Sequence, residues 1–489
     1  MTDREPYRIR RKRGALASTT AMLPVCLAAC SFAPQHVRPA QPVPQSYAQA
    51  EAAGPSIAHV GWHDFFREEH LRTLIATALQ NNRDIRIATA RVAEARATWR
   101  IEGSALYPEL EAVASGTRGR SIINLPGAGT QSYDIKQVTA QLSAGWEIDF
   151  WGRLRNFNDA ARNQYLATEE ARRSVATDLI AQVANGYLLE REYEERVALA
   201  ARTISTRQQA LRILRRRYEV GSGSKLEMAE AQMLLGQAQT TLEALEQDRA
   251  VNRNALALLV GQPIDIPAGP LGLAETAPDI VLPAGLPSEL LANRADIMAA
   301  EYRLRAADAN IGAARAAFFP NITLTGAFGT SSDDLDGLFG NGSRSWSFAP
   351  TISLPLFNAG RLAANLDLAK ARQVEAVADY ERSVQAAFRD VSDALVRRRQ
   401  LARQIETTRT VLDALRERAR LAQLRFDNGR SAYLEVLDAQ RDLFDTEQGL
   451  VQLRRAHLAS GVALYAALGG GLVNSAFDTN TANTGGQAR

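Results

Sequence analysis

Side chains able to do chemistry are sparse in this sequence, which holds five histidines and two cysteines among 489 residues. His63 and His70 stand seven apart and come nearest to a metal-ligand pair. Two histidines at that spacing suit a helix surface or a cap better than a ligand set, which needs three or four donors. No P-loop, GxSxG, HExxH or cysteine–histidine arrangement occurs. Gly221-Ser222-Gly223-Ser224 has the small residues of a phosphate loop, but it lies between two helical patterns and not after a strand. The carboxylates sit at ordinary helix-surface spacing, as where Asp438 precedes Arg441 by three residues, the distance of a simple ion pair. The sequence reads as no enzyme, with no cofactor or metal expected.

Cys30 is the reactive residue with a recognisable context. A basic start with Arg4, Arg8, Arg10, Arg11, Lys12 and Arg13 is followed by an apolar stretch, Ala15–Val25, and then by Leu27-Ala28-Ala29-Cys30. That order is an export signal. Its last four residues resemble the bacterial lipobox, in which cleavage frees the cysteine for acylation; the plainer alternative is an ordinary signal peptide with an incidental cysteine. Residues 1–29 are therefore expected to be a lipoprotein signal peptide and Cys30 a lipidation site carrying the only covalent group. Ser31, in place of Asp, favours outer-membrane sorting by resemblance to bacterial lipoproteins. Cys26 would leave with the signal, so no disulfide can form. The signal also accounts for the charge: it carries six basic against two acidic residues, +4 of the chain's +3, leaving −1 for the rest. Nothing in that remainder suggests nucleic acid.

The rest is organised as one unit written twice. Arg217–Gln232, RYEVGSGSKLEMAEAQ, returns as Arg425–Gln440, RFDNGRSAYLEVLDAQ, at an offset of 208 with six of sixteen positions identical. Gly152-Arg153-Leu154 faces Gly360-Arg361-Leu362 at the same offset. Ala105–Pro108 faces Ala317–Pro320, and Asn82-Arg83-Asp84-Ile85 faces Arg294-Ala295-Asp296-Ile297, at 212. A repeat of this length sets the architecture before any local reading does.

Within each copy the hydrophobic period changes in the same order. Leu71–Leu106 reads as a helix stopped by Pro108. Glu109–Arg120 and Tyr133–Ile148 read as a hairpin around the loop Asn124–Thr130, the second strand showing Val138, Ala140, Leu142, Ala144, Trp146 and Ile148 on one side. Gly152–Tyr218 is a proline-free helix of about 67 residues, roughly 100 Å long. Val197, Ile204, Leu211 and Tyr218 recur every seven residues in it, as Ile405, Leu412, Ala419 and Phe426 do in the second copy, which is a coiled-coil-like seam. Ser224–Val260 returns as a shorter helix. The second copy runs Pro287–Phe318, strands Asn321–Thr330 and Trp346–Phe357 with Pro350 and Pro355 distorting the last, then helices Gly360–Phe426 and Ser431–Leu468. The domain reading is a lipid-anchored arm at 30–61, a first repeat at 62–261, a linker at 262–286, a second repeat at 287–469 and a tail at 470–489.

No stretch has the roughly 18 consecutive apolar residues of a helical span. The hairpins offer a different route, because lipid-spanning β-structure must close on itself. Four strands per chain are too few; two chains would give eight with a filled interior, and three would give twelve with room for a channel.

Taken together, the lipobox, Asn82–Ile85 with Arg294–Ile297, Tyr107-Pro108 with Phe319-Pro320, Phe357–Leu362 and both helix-turn segments resemble the outer-membrane factors of Gram-negative efflux systems, the TolC-like channels, and their NodT-type lipoprotein branch. The resemblance covers Trp62–Gly470. It implies a mainly α fold with a membrane β-barrel: a homotrimer whose long helices form a periplasmic α-helical barrel and whose four strands per chain form a 12-stranded barrel. It implies a lipid-anchored protein of the outer membrane, extending into the periplasm as the exit duct of a tripartite efflux pump for drugs or other small toxic compounds. The partners implied are a periplasmic adaptor, an inner-membrane pump of proton-driven type and outer-membrane lipid. The family's closed end lies at the turns, so Gly221, Gly429, Arg217 and Arg425 are expected at an adaptor-docking tip. Leu434, Asp438 and Arg441 match its gate positions, and the repeat places Leu226, Glu230 and Met233 at the equivalent sites of the first copy. A lipid-anchored coiled-coil scaffold is the rival reading, leaving the hairpins without purpose, and a type I secretion duct is the other.

Overall fold

The computed structural model describes residues 32–47, 60–125, 129–269 and 287–470. Cys30 and its signal, residues 126–128 of the first hairpin loop, residues 270–286 of the linker and the tail from 471 lie outside the described residues. In chain order a short helix α1 (Trp62–Phe65) leads to α2 (Glu69–Asn81) and α3 (Arg83–Ser104), strands β1 (Glu109–Leu125) and β2 (Gly129–Ile148), and helices α4 (Arg153–Glu219) and α5 (Lys225–Val260). After the linker come α6 (Leu290–Asn293), α7 (Ala295–Ala316), β3 (Asn321–Ser332), β4 (Arg344–Ser353), α8 (Arg361–Asp427) and α9 (Leu434–Ala467). The described residues are thus mainly helical with one small sheet. α3 and α7 are both 22 residues long, and α4 and α8 both 67.

Two departures from the sequence pattern have clear causes. The single helix expected over Leu71–Leu106 is broken at Asn82, whose ψ of 137° is extended. Its side chain does what an N-cap does: Oδ1 accepts from the N–H groups of Asp84 (2.8 Å) and Ile85 (3.1 Å), and Nδ2 donates to Leu259 O at 2.8 Å. The second copy breaks at Arg294 instead, where the guanidinium donates to Asp296 and to Ala467 O. The strands also run further than their apolar alternation, to Leu125 and from Gly129, because backbone pairing continues from Glu109↔Gly145 to Leu125↔Gly129 whatever the side chains. β4 contains Pro350, opposite Leu324, and stops before Pro355. It is an outer strand of this sheet, where a residue lacking N–H is tolerated.

The described residues group into two compact units. The first holds Arg96–Gln164 and Leu304–Glu375, with the start of the arm. Its centre is one antiparallel sheet in the order β1-β2-β3-β4. One face carries Leu142, Phe328, Trp346, Phe348 and Ile352, all large, apolar and exposed. The other carries Ser, Thr and Gln, as in the row Gln141, Gly329, Ser345.

The second unit holds Arg38–Ala95, Tyr165–Arg303 and the chain from Ala376. Its largest core is built around Tyr187, Tyr380 and Tyr465, each at most 2% exposed, with Ile75, Leu256, Ile297 and Leu464. Buried charge is paired across helices: Glu190 of α4 meets Arg249 (2.7 Å) and Arg253 (2.8 Å) of α5, and Glu192 meets Arg455 of α9 at 2.8 Å. Glu192 is also held by Arg196 at 2.9 Å, so each of the two buried carboxylates has two arginines and keeps a partner if one is lost. Of the seven-residue seam, Leu211, Ile405 and Leu412 are buried, whereas Tyr218 is 41% exposed at the turn. Residues 32–47 of the arm form no helix or strand but are seated: Tyr47 is buried and stacks on Phe388 at 5.1 Å.

Candidate functional site: the paired helical tips

Where α4 gives way to α5, and α8 to α9, the backbone turns in the same way. Gly221 (φ 75°) and Gly429 (φ 67°) are left-handed. Ser222 N–H donates to Arg217 O at 2.9 Å and Gly221 N–H to Tyr218 O at 3.0 Å; Arg430 and Gly429 repeat this with Arg425 O and Phe426 O at 2.8 and 2.9 Å. These are Schellman closures, which need the left-handed residue that glycine adopts without Cβ strain. An added Cβ at either glycine meets no atom within 4 Å, so conformation and not space demands glycine there.

The two tips of one chain are joined. Ala210, Leu211 and Leu214 of α4, Ala231, Leu234 and Leu235 of α5, and Val436, Leu437 and Ala439 of α9 form one apolar cluster. The Arg217 guanidinium lies 4.7 Å from the centre of the Phe426 ring, which packs edge-on against Tyr433 at 4.7 Å. Glu227 of α5 accepts a hydrogen bond from the backbone N–H of Tyr433 at 3.1 Å. Higher up, buried Arg207 donates to Leu234 O at 2.5 Å and lies over the Phe444 ring, and burial lowers its pKa from the ordinary arginine value. Arg425 pairs with Glu435 at 3.4 Å.

Leu434, Asp438 and Arg441 share one outer face of α9, while Val436 and Ala439 on the opposite side are fully buried and Leu437, at the edge of that face, is 1% exposed. Arg441 reaches Asp438 at 3.5 Å and Asp442 at 3.3 Å within its own helix. Asp442 in turn accepts from Arg418 of α8 at 2.7 Å, and that bond, with Arg441 beside it, holds its carboxyl below the usual carboxylate range. In the first tip Leu226 is 66% exposed and Glu230 is half-buried. The structure therefore brings Leu434, Asp438 and Arg441 together and adds Glu227, Asp442 and Arg418, none of which sequence reasoning singled out. His63 and His70 go elsewhere: His63 is exposed beside Asp64 at 3.7 Å, and His70 packs 6.1 Å from the Tyr187 ring. No group of three metal-ligating side chains occurs among the described residues, and none of their helices is long and apolar enough to cross a membrane.

The "Outer membrane efflux protein" family model matches residues 74–262 and 286–470, which include both tips and the whole sheet. The cation efflux system protein CusC of Escherichia coli O6:H1 is 39% identical over 462 residues, covering 93% of this chain and 99% of the relative. The toluene efflux pump outer membrane protein TtgI of Pseudomonas putida is 42% identical over 455 residues, covering 91% and 96%. The probable outer membrane lipoprotein SilC of Salmonella typhimurium is 40% identical over 454 residues, covering 91% and 97%. A CusC crystal structure superposes with a TM-score of 0.82 at 40% identity over 90% of this chain and 100% of that one. The chain belongs to the outer membrane efflux protein family and is an outer-membrane exit duct for efflux.

Proposed function

We propose that three copies assemble, that their sheets close into a 12-stranded membrane barrel (3 × 4 strands), and that their six tips converge on a periplasmic gate. The outer apolar face supports the barrel. On β2 it runs from Val138 to Ile148, ten steps or about 33 Å of strand, and a tilt near 40° reduces this to the ~25 Å apolar band of outer-membrane barrels. The internal repeat supports the gate, since a threefold assembly then presents six similar helical hairpins. The observation that carries the gate is the row of exposed Leu434 and Arg441 with half-buried Asp438, about one turn apart on a helix whose opposite face is buried. Leu434 closes a ring by apolar contact, and Asp438, with Glu230 from the first tip, lines it with carboxylates that favour cations.

Cys30 carries the lipid anchor in this reading, and the mass of the N-terminal peptide reports it directly. Gly221, Gly429, Arg217 and Arg425 shape the surface that meets a periplasmic adaptor, which links the duct to a proton-driven inner-membrane pump. CusC and TtgI are named for cations and for toluene; the cargo here belongs to the same broad set of small toxic compounds, with selection residing in the pump. Single-channel recording in planar bilayers tests the gate. Leu434→Ala with Asp438→Ala should raise conductance severalfold, and Asp438→Ala alone should weaken cation preference. Wild-type conductance and selectivity in both folded variants would place the constriction elsewhere.

A further inference from the structure

The outward face of the sheet changes character abruptly at its far end, away from the helices. On β1 the positions that share the apolar face run Leu110, Ala112, Ala114 and Gly116, and the next is Arg118. On β2 the same face ends at Val138, and the next position is Lys136. On β4 it ends at Trp346, and the next is Arg344. The boundary falls in one row on β1 and β2, where Gly116 pairs with Val138, and four residues nearer the helices on β4, and each time the first outward position beyond it is basic. That position lies about 7 Å further along the strand. All three side chains are exposed.

Two of these three charges, Arg118 and Arg344, are not balanced by the described residues of the protein. Arg118 and Lys136 are register partners on adjacent strands, with side chains on the same face. Like charges directly opposite in a sheet are destabilising. Lys136 has only Asp334 at 3.8 Å, and the nearby Arg120 is already taken by Asp134 at 2.8 Å. Among the described residues Arg118 and Arg344 make no ion pair. β1 and β4 are also the two free edges of the sheet. Closing it against further copies sets β4 of one chain beside β1 of the next, so each seam carries unneutralised guanidinium groups from two chains beyond the apolar stretch of their strands.

We propose that Arg118, Lys136 and Arg344 form an anion site at the outer rim of the barrel that takes the phosphates of a phosphorylated glycolipid of the outer leaflet. The inference rests on the barrel reading above, which fixes the hairpin ends as the outer side. The ligand class follows from position: the acyl chains lie against Phe328, Trp346 and Phe348, and the headgroup phosphates lie beyond them, where each strand's first outward cation stands. A guanidinium binds phosphate through two parallel hydrogen bonds, and an anion between Arg118 and Lys136 removes their mutual repulsion.

Binding of fluorescent diphosphoryl lipid A to the purified full-length protein in neutral detergent tests this, beside dephosphorylated lipid A and inorganic phosphate. Wild type should bind the diphosphoryl form on the order of tenfold more tightly than the dephosphorylated form. Arg118→Ser with Arg344→Ser should abolish that preference, and Arg118→Lys with Arg344→Lys should largely keep it. Millimolar inorganic phosphate should not displace the lipid. Equal binding of both lipid forms by wild type overturns the proposal whether or not the variants fold, and displacement by phosphate alone reassigns the rim to a free anion. A wild type that conducts in bilayers but ignores the phosphates sinks the rim and spares the barrel; a wild type that forms no pore sinks both.

Discussion

Gly221 and Gly429 carry the same left-handed turn, but the helices that follow them start differently. α5 begins with a cap of its own: Ser224 Oγ accepts from Leu226 N–H at 3.1 Å. α9 has no side-chain cap from its own segment, and the Tyr433 N–H at its start is satisfied by Glu227, which belongs to the first tip. The turns differ too. At Gly223 an added Cβ would stand 2.9 Å from Arg217 Cβ and 3.0 Å from Tyr218 N, whereas the second tip has Ser431 in that place. The first tip is thus closed by its own backbone, and the second is finished by the first. A chain built this way has two tips that order together, so a disturbance of α5 passes to the gate face of α9 through Glu227.

The largest break in the comparison should come from Gly223→Ala. The clash is with backbone and a Cβ, neither of which can swing aside, and overpacking of this kind costs roughly 1–3 kcal/mol. Amide exchange at the first turn should quicken by at least tenfold, while Ser431→Ala stays within about 0.5 kcal/mol of wild type. Equal effects at the two positions would mean the tips are interchangeable. Next in size is Glu227→Ala, which leaves the start of α9 without an acceptor and should cost about 1 kcal/mol, as loss of a helix cap does. Exchange at Tyr433 should rise about fivefold with the α5 start unchanged. Ser224→Ala should do the converse. Loosening of both helices by either change would remove the distinction between a self-capped and a borrowed start.

How far the sequence carried this picture depended on the range of each interaction. The long helices, the hairpins and the glycine turns were legible because period, proline and glycine act within a few residues. Leu434, Asp438 and Arg441 were legible as a face for the same reason. Asn82 was missed as a helix break because its capping role competes with a helical pattern running through it on both sides. Glu227 was missed because its partner is 206 residues away, and nothing about a glutamate in the first turn of a helix announces a backbone N–H in another hairpin. Asp442 sits beside Arg441 in sequence, but its tie to Arg418 of α8 exists only once the two helices pack. The seven-residue spacing places Tyr218 and Phe426 alike on the seam, but Tyr218 is 41% exposed whereas Phe426 packs against the tip cluster beside Tyr433, a difference in packing partners that spacing does not encode.

The smallest effect on stability, and the sharpest on function, is expected from making the second tip resemble the first. Met233 stands where Arg441 stands in the other copy, so Arg441→Met erases that one difference. Arg441 is half-exposed, at 46% of its side chain, and its contacts to Asp438 and Asp442 are 3.5 and 3.3 Å long. Exposed pairs of this kind contribute about 0.2–1 kcal/mol. Asp442 keeps Arg418, at 2.7 Å, so the packing of α8 on α9 loses little. Thermal unfolding of the variant should therefore match wild type. The charge of the face changes far more: Asp438 loses its only cation within ion-pair distance among the described residues, and each of three copies loses one positive charge at the proposed gate. Reversal potentials in asymmetric salt should shift toward stronger cation preference, with conductance unchanged or modestly raised. A shift toward anions would show that Arg441 does not screen Asp438 in the assembled duct. A large rise in conductance, equal to that of the Leu434→Ala and Asp438→Ala pair, would show that Arg441 holds neighbouring chains together, and that the pairing within one helix gives way on assembly.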